Sequence, residues 1–133
     1  MPTAAELLGS RRRVLVTGGA GFIGGAVVRR LLMESEAIVF NLDKMGYASD
    51  LTSIEKVLSK LGEHAKQRHV LQRVDLANSS AVREALKEAD PDLVMHLAAE
   101  SHVDRSIAGP GVFIESNVTG TYNLLQAVRE HAD

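Results

Sequence analysis

Arg13-Val14-Leu15-Val16-Thr17-Gly18-Gly19-Ala20-Gly21-Phe22-Ile23-Gly24 changes character twice within a short span. It opens as an apolar, β-branched run, Val14 to Val16, of the kind that forms a strand buried on both faces. It then breaks into glycines. From Phe22 onward the apolar residues Phe22, Ile23, Val27, Val28, Leu31 and Leu32 recur at threes and fours, which is helical spacing. The stretch therefore reads as strand, glycine turn and helix, and that context gives a glycine fingerprint its meaning.

The glycines fit two overlapping frames. Gly19, Gly21 and Gly24 match G-x-G-x-x-G, while Gly18, Gly21 and Gly24 match G-x-x-G-x-x-G behind Thr17. Both frames answer the same demands. A tight turn needs backbone angles closed to side chains, and a diphosphate must approach bare backbone. The amides that open the helix point at that anion, and the helix dipole adds about 0.3–1 kcal/mol. The last glycine lets helix and strand pack closely.

A second buried-strand run, Ala37 to Leu42, ends in Asp43. An acid about twenty residues beyond the glycines accepts hydrogen bonds from the hydroxyls of an adenosine ribose. A carboxylate there repels a 2′-phosphate, so the cofactor expected is NAD rather than NADP. Lys44 follows directly and softens that repulsion.

Working outward, the chain reads as alternating strands and helices. A weakly helical or frayed leader covers residues 1–12, and the dinucleotide-binding domain covers 13–133. Strand one spans Val14 to Thr17, the first helix about Gly21 to Met33, and strand two Ala37 to Leu42. Leu51 to Leu61 is helical and stops at Gly62; Gly62 to Arg68 reads as a charged loop or frayed helix end. Strand three is His69 to Val74. Asn78 or Ser79 caps a helix whose face is Val82, Ala85, Leu86 and Ala89, ended by Asp90-Pro91-Asp92. Strand four is Leu93 to Leu97. A loop from Ala98 to Gly111 precedes a long helix over about Val112 to Glu130.

Continuously apolar strands alternating with helices imply a parallel sheet with helices on both faces, a doubly wound Rossmann-type α/β fold. Right-handed crossovers give the strand order 3-2-1-4. Ligands then bind beyond the carboxyl ends of the strands, where the glycine turn, Asp43, Asp75 and the segment from Ala98 to Ser101 all converge.

Composition narrows the remaining choices. The 133 residues carry 15 Lys and Arg against 17 Asp and Glu, a net charge of −2. That gives no electrostatic case for a nucleic-acid or anionic-membrane partner. Cysteine is absent, which removes disulfides and thiol chemistry and fits a reducing cytoplasm. The first ten residues put their arginines after the apolar residues, the wrong order for a signal peptide. No apolar run approaches membrane-spanning length. Arg11-Arg12-Arg13 reads as a solvated approach to strand one. The five histidines, His64, His69, His96, His102 and His131, lack metal-binding spacing, and no metal site is expected. His96 reads as a hydrogen-bonded core histidine.

The resemblance lies in three segments. Thr17 to Gly24 is similar to the opening of extended short-chain dehydrogenases/reductases, the NAD-dependent epimerase/dehydratase family. Asn41-Leu42-Asp43-Lys44-Met45-Gly46-Tyr47-Ala48, and above all His96-Leu97-Ala98-Ala99-Glu100-Ser101-His102-Val103-Asp104-Arg105-Ser106, resemble the dTDP-glucose 4,6-dehydratases within it. The resemblance runs from Arg13 to His131. It implies that Gly18, Gly21, Phe22, Ile23 and Gly24 sit against the NAD diphosphate, and that Asp43, Lys44, Met45 and Gly46 surround the adenosine ribose. It places Asp75 and Leu76 at the adenine, Leu97, Ala98, Ala99, Glu100 and Ser101 along the path to the nicotinamide, and Ser116 at a further cofactor contact. Ser101 also matches a hydroxyl that reaches the sugar nucleotide.

The same resemblance implies a reaction on dTDP-glucose in which C4 is oxidised, water is eliminated across C5 and C6, and the hydride returns to C6. This sequence departs from the family at Met45-Gly46-Tyr47-Ala48-Ser49-Asp50, where the usual run is Leu-Thr-Tyr-Ala-Gly-Asn. Family members are more than twice as long, and their Tyr-x-x-x-Lys, Asp-Glu pair and sugar-binding domain lie past the matching segment. Tyr47 and Tyr122 are followed four residues later by Leu51 and Gln126, so no catalytic residue is expected in this chain. Glu100, His102, Asp104 and Arg105 read mainly as loop-shaping residues. The last helix, with Phe113, Ile114, Val118, Tyr122, Leu124, Leu125 and Val128, is apolar more widely than one sheet contact requires. It either pairs two copies as a homodimer or packs on further strands. The other readings are an epimerase or decarboxylase acting on another nucleotide sugar, and a dinucleotide-binding module without catalysis.

Overall fold

The computed structural model describes residues 2–46, 49–98 and 118–132. Four strands form one sheet: β1 (Arg13–Thr17), β2 (Ile38–Leu42), β3 (His69–Gln72) and β4 (Leu93–His96). Their order is β3-β2-β1-β4, and every pairing is parallel. This is the order read from the alternation of strands and helices. The connections are α2 (Phe22–Glu34), α3 (Thr52–Leu61) with the short α4 (Glu63–Gln67), and α5 (Ser79–Ala89). Two further helices, α1 (Ala4–Leu8) and α6 (Gly120–Ala132), lie towards the ends of the chain.

Alternation along β1 divides the core. Val14 and Val16 pack with Val28, Leu31, Leu32, Ile54 and Leu58 of α2 and α3. Leu15 packs on the opposite face with Val82, Leu86, Leu124 and Ala127 of α5 and α6. A strand flanked by helices on both faces has no solvated side, which is why its sequence runs apolar without a break.

Within the described residues the expected strands and helices are present, and the differences have physical reasons; the expected start of the last helix near Val112 lies outside the described residues. β3 ends at Gln72 rather than Val74 because Gln72 pairs with Leu42, the last residue of β2. β4 likewise ends at His96, opposite Thr17. The leader is an ordered helix, not a frayed one: Thr3 Oγ1 accepts the Glu6 amide, and Ala4 N–H donates to Glu34 of α2. Leu8 is buried in the core formed with α2 and α3.

The segment before β3, read as a charged loop or frayed helix end, is ordered and carries α4. Its Ala65 is buried, and the Arg68 guanidinium donates to the carbonyls of Leu32, Ser35 and Ala37 at 2.9–3.0 Å. A buried cation thus closes the carboxyl end of α2, where orphan carbonyls and the helix dipole favour positive charge. Arg12 and Arg13 are likewise structural. Their amides donate to the Asp92 carboxylate, and the Arg13 guanidinium lies over the Phe40 ring at 4.9 Å. Asn78 caps α5 by accepting the Ala81 amide, and Asp90 closes it in the left-handed region.

Candidate functional site at the carboxyl edge of the sheet

The glycine turn crosses from β1 to α2 at the point where β2 and β4 also end. Gly18 N–H donates to Leu42 O of β2 at 2.8 Å, and Leu97 N–H donates to Thr17 O at 3.1 Å. The glycines serve different needs. Gly18 has φ +74°, and a Cβ there would lie 2.7 Å from Ala98 Cα. A Cβ on Gly24 would run into the Gly18 carbonyl, and one on Gly19 into the Asn41 carboxamide. Gly24 therefore packs against the turn itself rather than the strand. Gly21 has φ −83° and only Gly18 O, at 3.3 Å, near its missing side chain. Of the four, its backbone is the least constrained by the fold.

Gly21 is also the N-cap of α2, so no side chain caps the first-turn amides, and the first turn holds no acid. An uncapped helix start with bare backbone beside it is a site for an anion. Phe22 and Ile23 stand 94% and 65% exposed at this start. They lie outside the apolar face of α2, although their spacing had placed them on it. Val28, Leu31 and Leu32 form the buried part of that face.

Asp43 belongs to the same feature. Its Oδ2 accepts the Ala20 amide of the glycine turn at 3.0 Å. Its Oδ1 accepts the Met45 amide at 2.7 Å and the Ser49 hydroxyl at 2.9 Å. Ala20 closes the link in the other direction, because its carbonyl accepts Asp50 N–H at 2.8 Å. The acid at the end of β2 and the turn at the end of β1 are thus one hydrogen-bonded unit. Asp43 is only 7% exposed, and its carboxylate already serves three donors, a load that the sequence does not reveal.

Beside Asp43, Lys44 and Gly46 are exposed, and Met45 is half-buried in the left-handed region at φ +58°. Asp75 is exposed beyond β3, with Oδ1 accepting the Ala77 amide at 3.0 Å. The Leu76 side chain is buried in the core with α5 and α6, and its carbonyl accepts from Asn123. Leu97 and Ala98 are half-buried beside Gly18. Ala99, Glu100, Ser101 and Ser116 lie outside the described residues, as do Tyr47, Phe113, Ile114 and the His102 to Arg105 cluster.

A polar chain that the sequence reading left out locks the β1 and β4 ends together. Thr17 Oγ1 accepts from Leu97 N–H at 3.0 Å and from Ala98 N–H at 3.2 Å. With both lone pairs engaged, the hydroxyl proton must go to His96 Nδ1, 2.6 Å away. His96 is therefore neutral with its proton on Nε2, which donates to Thr121 Oγ1 of α6 at 2.9 Å. Burial pushes the His96 pKa down, in agreement with a neutral ring. His96 is hydrogen-bonded at both ring nitrogens, as expected, but it is half-buried at the end of β4 rather than part of the core.

A parallel pair lies under the turn. Asn41 Nδ2 faces His69 Nε2 at 3.2 Å, and burial lowers the His69 pKa as well. Asn41 Oδ1 is buried without a partner among the described residues. The signals for these residues were available but silent: Thr17 stands in the glycine motif, and Asn41 is a polar residue inside an apolar strand. Among the described residues, no group of three or more His, Asp or Glu is placed to hold a metal ion. No helix among them is long and apolar enough to cross a membrane.

Residues 15–133 match the family described as GDP-mannose 4,6 dehydratase. The chain belongs to this family. Within reach of it, the chain is 46% identical over 119 residues to a dTDP-glucose 4,6-dehydratase of Salmonella typhimurium. The match to a dTDP-glucose 4,6-dehydratase of Escherichia coli K12 is also 46% over 119 residues. Each alignment covers 90% of this chain and 31% of the relative, so the chain spans about a third of the length of these proteins. Among solved structures, a Streptomyces venezuelae dTDP-glucose 4,6-dehydratase with NAD and TYD bound is similar with a TM-score of 0.74 at 39% identity. That match covers 90% of this chain and 36% of the other. A Thermus thermophilus UDP-glucose 4-epimerase in complex with NAD is similar with a TM-score of 0.72 at 35% identity, over 90% of this chain and 34% of that one. The parallel order β3-β2-β1-β4 described above is the part of the fold that this chain shares with these structures.

Proposed function

We propose that this chain is the NAD-binding part of a nucleotide-sugar dehydratase acting on dTDP-glucose. One observation carries the reading: the Asp43 carboxylate bonds the Ala20 amide of the glycine turn at 3.0 Å. A helix start suited to phosphate and an acid suited to ribose are thereby held side by side, as the two ends of an adenosine diphosphate need.

The residues fit the cofactor. Bare backbone at Gly21 and the uncapped amides of α2 suit the diphosphate. Asp43 suits the adenosine ribose and disfavours a 2′-phosphate, so NAD is chosen over NADP. Asp75 suits the exocyclic amine of adenine. Leu97 and Ala98, held by Thr17, lie on the nicotinamide side. Ala99, Glu100, Ser101 and Ser116 are assigned to the cofactor, and Ser101 to the sugar nucleotide, on sequence grounds alone. NAD supplies a hydride acceptor when bound. This chain's own part is to bind it, orient it along the sheet edge and exclude NADP.

The proposal extends to a cytoplasmic location, which the absence of cysteine supports. It also extends to pairing of two copies through α6. Tyr122 and Leu125 on α6, with Val118 just before it, are 61%, 63% and 63% exposed, and sedimentation of the chain tests the pairing. The likeness to UDP-glucose 4-epimerases supports a second reading, an epimerase on another nucleotide sugar. Substrate titration of a polypeptide of the relatives' full length separates the two.

The test of cofactor binding is calorimetric titration of NAD into the chain and its Asp43→Asn variant. Loss of a charged acceptor weakens NAD binding by about 1–3 kcal/mol. Equal affinity in the two proteins would remove Asp43 from the site.

A further inference from the structure

Asp43 has fewer free acceptor positions than its assigned ligand needs. A carboxylate offers about four lone-pair positions. Three donors already use them: Ala20 N–H, Met45 N–H and Ser49 O–H. A ribose 2′,3′-diol brings two hydroxyl donors, and only about one position remains.

The three donors are not equally replaceable. Ala20 N–H belongs to the glycine turn and is buried. Met45 N–H closes a tight side-chain turn on Asp43, in a backbone conformation with φ +58°. Neither can leave without moving backbone. The Ser49 hydroxyl hangs on a single side-chain torsion at a half-buried position, and rotating it away costs one hydrogen bond. The Ser49 amide, which donates to Gly46 O at 3.2 Å, keeps the loop in place when the hydroxyl turns.

We propose that Ser49 competes with a ribose hydroxyl for Asp43 Oδ1 and so sets how tightly this chain holds its dinucleotide. This rests on the NAD reading above. The Ser49 hydroxyl does for Asp43 what one arm of the diol does, and binding exchanges one donor for the other. A dinucleotide whose adenosine ribose lacks the 2′-hydroxyl needs only the remaining position and does not compete. Ser49 is therefore a determinant of affinity and of discrimination for the intact diol.

The experiment is calorimetric titration of the 133-residue chain, Ser49→Ala and Ser49→Thr with NAD and with its 2′-deoxyadenosine analogue. Ser49→Ala is expected to bind NAD roughly three- to tenfold tighter, the worth of one exchanged hydrogen bond. Its affinity for the analogue stays within about twofold of the parent. Ser49→Thr keeps a hydroxyl and follows the parent for both ligands. Unchanged or weaker NAD binding by Ser49→Ala, with the parent binding normally, overturns the competition and leaves the NAD reading standing. Equal tightening by Ser49→Thr also overturns it, because the hydroxyl is then not the cause. Failure of all three proteins to bind NAD while their circular dichroism stays native overturns the NAD reading and this inference with it.

Discussion

Gly18 and Gly21 carry the same letter in the fingerprint but carry different loads. At Gly18 a methyl group meets backbone: Ala98 Cα at 2.7 Å and Ala98 N at 2.8 Å, with φ at +74°. Neither the end of β4 nor the turn can yield, because Thr17 ties the two together. Gly18→Ala should therefore lose at least about 2 kcal/mol of stability, from strain and overpacking together. Urea unfolding of the variant measures it, and a midpoint equal to the parent's would contradict the geometry. Gly21→Ala is the contrast. Its φ of −83° suits alanine, and its one near neighbour is Gly18 O at 3.3 Å. The same unfolding experiment should find it within about 1 kcal/mol of the parent. The motif alone names three demands, a turn angle, bare backbone for an anion and close packing, and ties only the last of them to a residue, Gly24. The structure assigns the positive φ to Gly18, close packing to Gly19 and Gly24, and open backbone to Gly21.

The strands and their ends are the elements that hold the site, and two histidines make that hold sensitive to acid. Burial lowers the pKa of both His96 and His69 below the ordinary histidine value. The unfolded chain then binds these protons at a higher pH than the folded chain does, so stability rises with pH across the interval. It is lost as pH falls below about 6.5, and the loss stops once the folded-state values are passed. Protonation of His96 also puts a hydrogen on Nδ1, where the Thr17 hydroxyl already aims its own proton. Thermal unfolding between about pH 5 and pH 7 should show the slope, and His96→Asn, whose carbonyl still accepts from Thr17, should make it shallower. An unchanged slope in that variant would mean that His96 takes no part. The apolar runs announced these strands because period and β-branching are local properties. Their lengths were not legible, because Gln72 and His96 end their strands where the neighbouring strand stops. Arg68 was hidden for a similar reason. Its three carbonyl partners lie 31 to 36 residues away, a distance at which charge in a sequence reads as surface.

Across the whole molecule, the parallel order β3-β2-β1-β4 gathers at one edge every described loop that the fingerprint needs. That arrangement follows from alternation and handedness, so the crevice was legible before any side chain was placed. The internal bonding of the crevice was less so: Asp43 is shared among three internal donors. Binding and chemistry then separate cleanly. Hydride transfer to or from a sugar carbon needs a group that takes up the hydroxyl proton, tuned close to working pH. The lysine that would accompany a tyrosine in that role is missing after Tyr47 and Tyr122, where Leu51 and Gln126 stand four residues on. His96 cannot substitute, because both of its ring nitrogens are engaged with Thr17 and Thr121. These 133 residues should therefore bind NAD yet leave dTDP-glucose unchanged. Chromatography of the sugar nucleotide after long incubation with the chain and NAD reads the outcome directly. Any 4-keto-6-deoxy product formed by the purified chain would show that a base within this sheet edge suffices, and would return attention to the Glu100 to Arg105 segment.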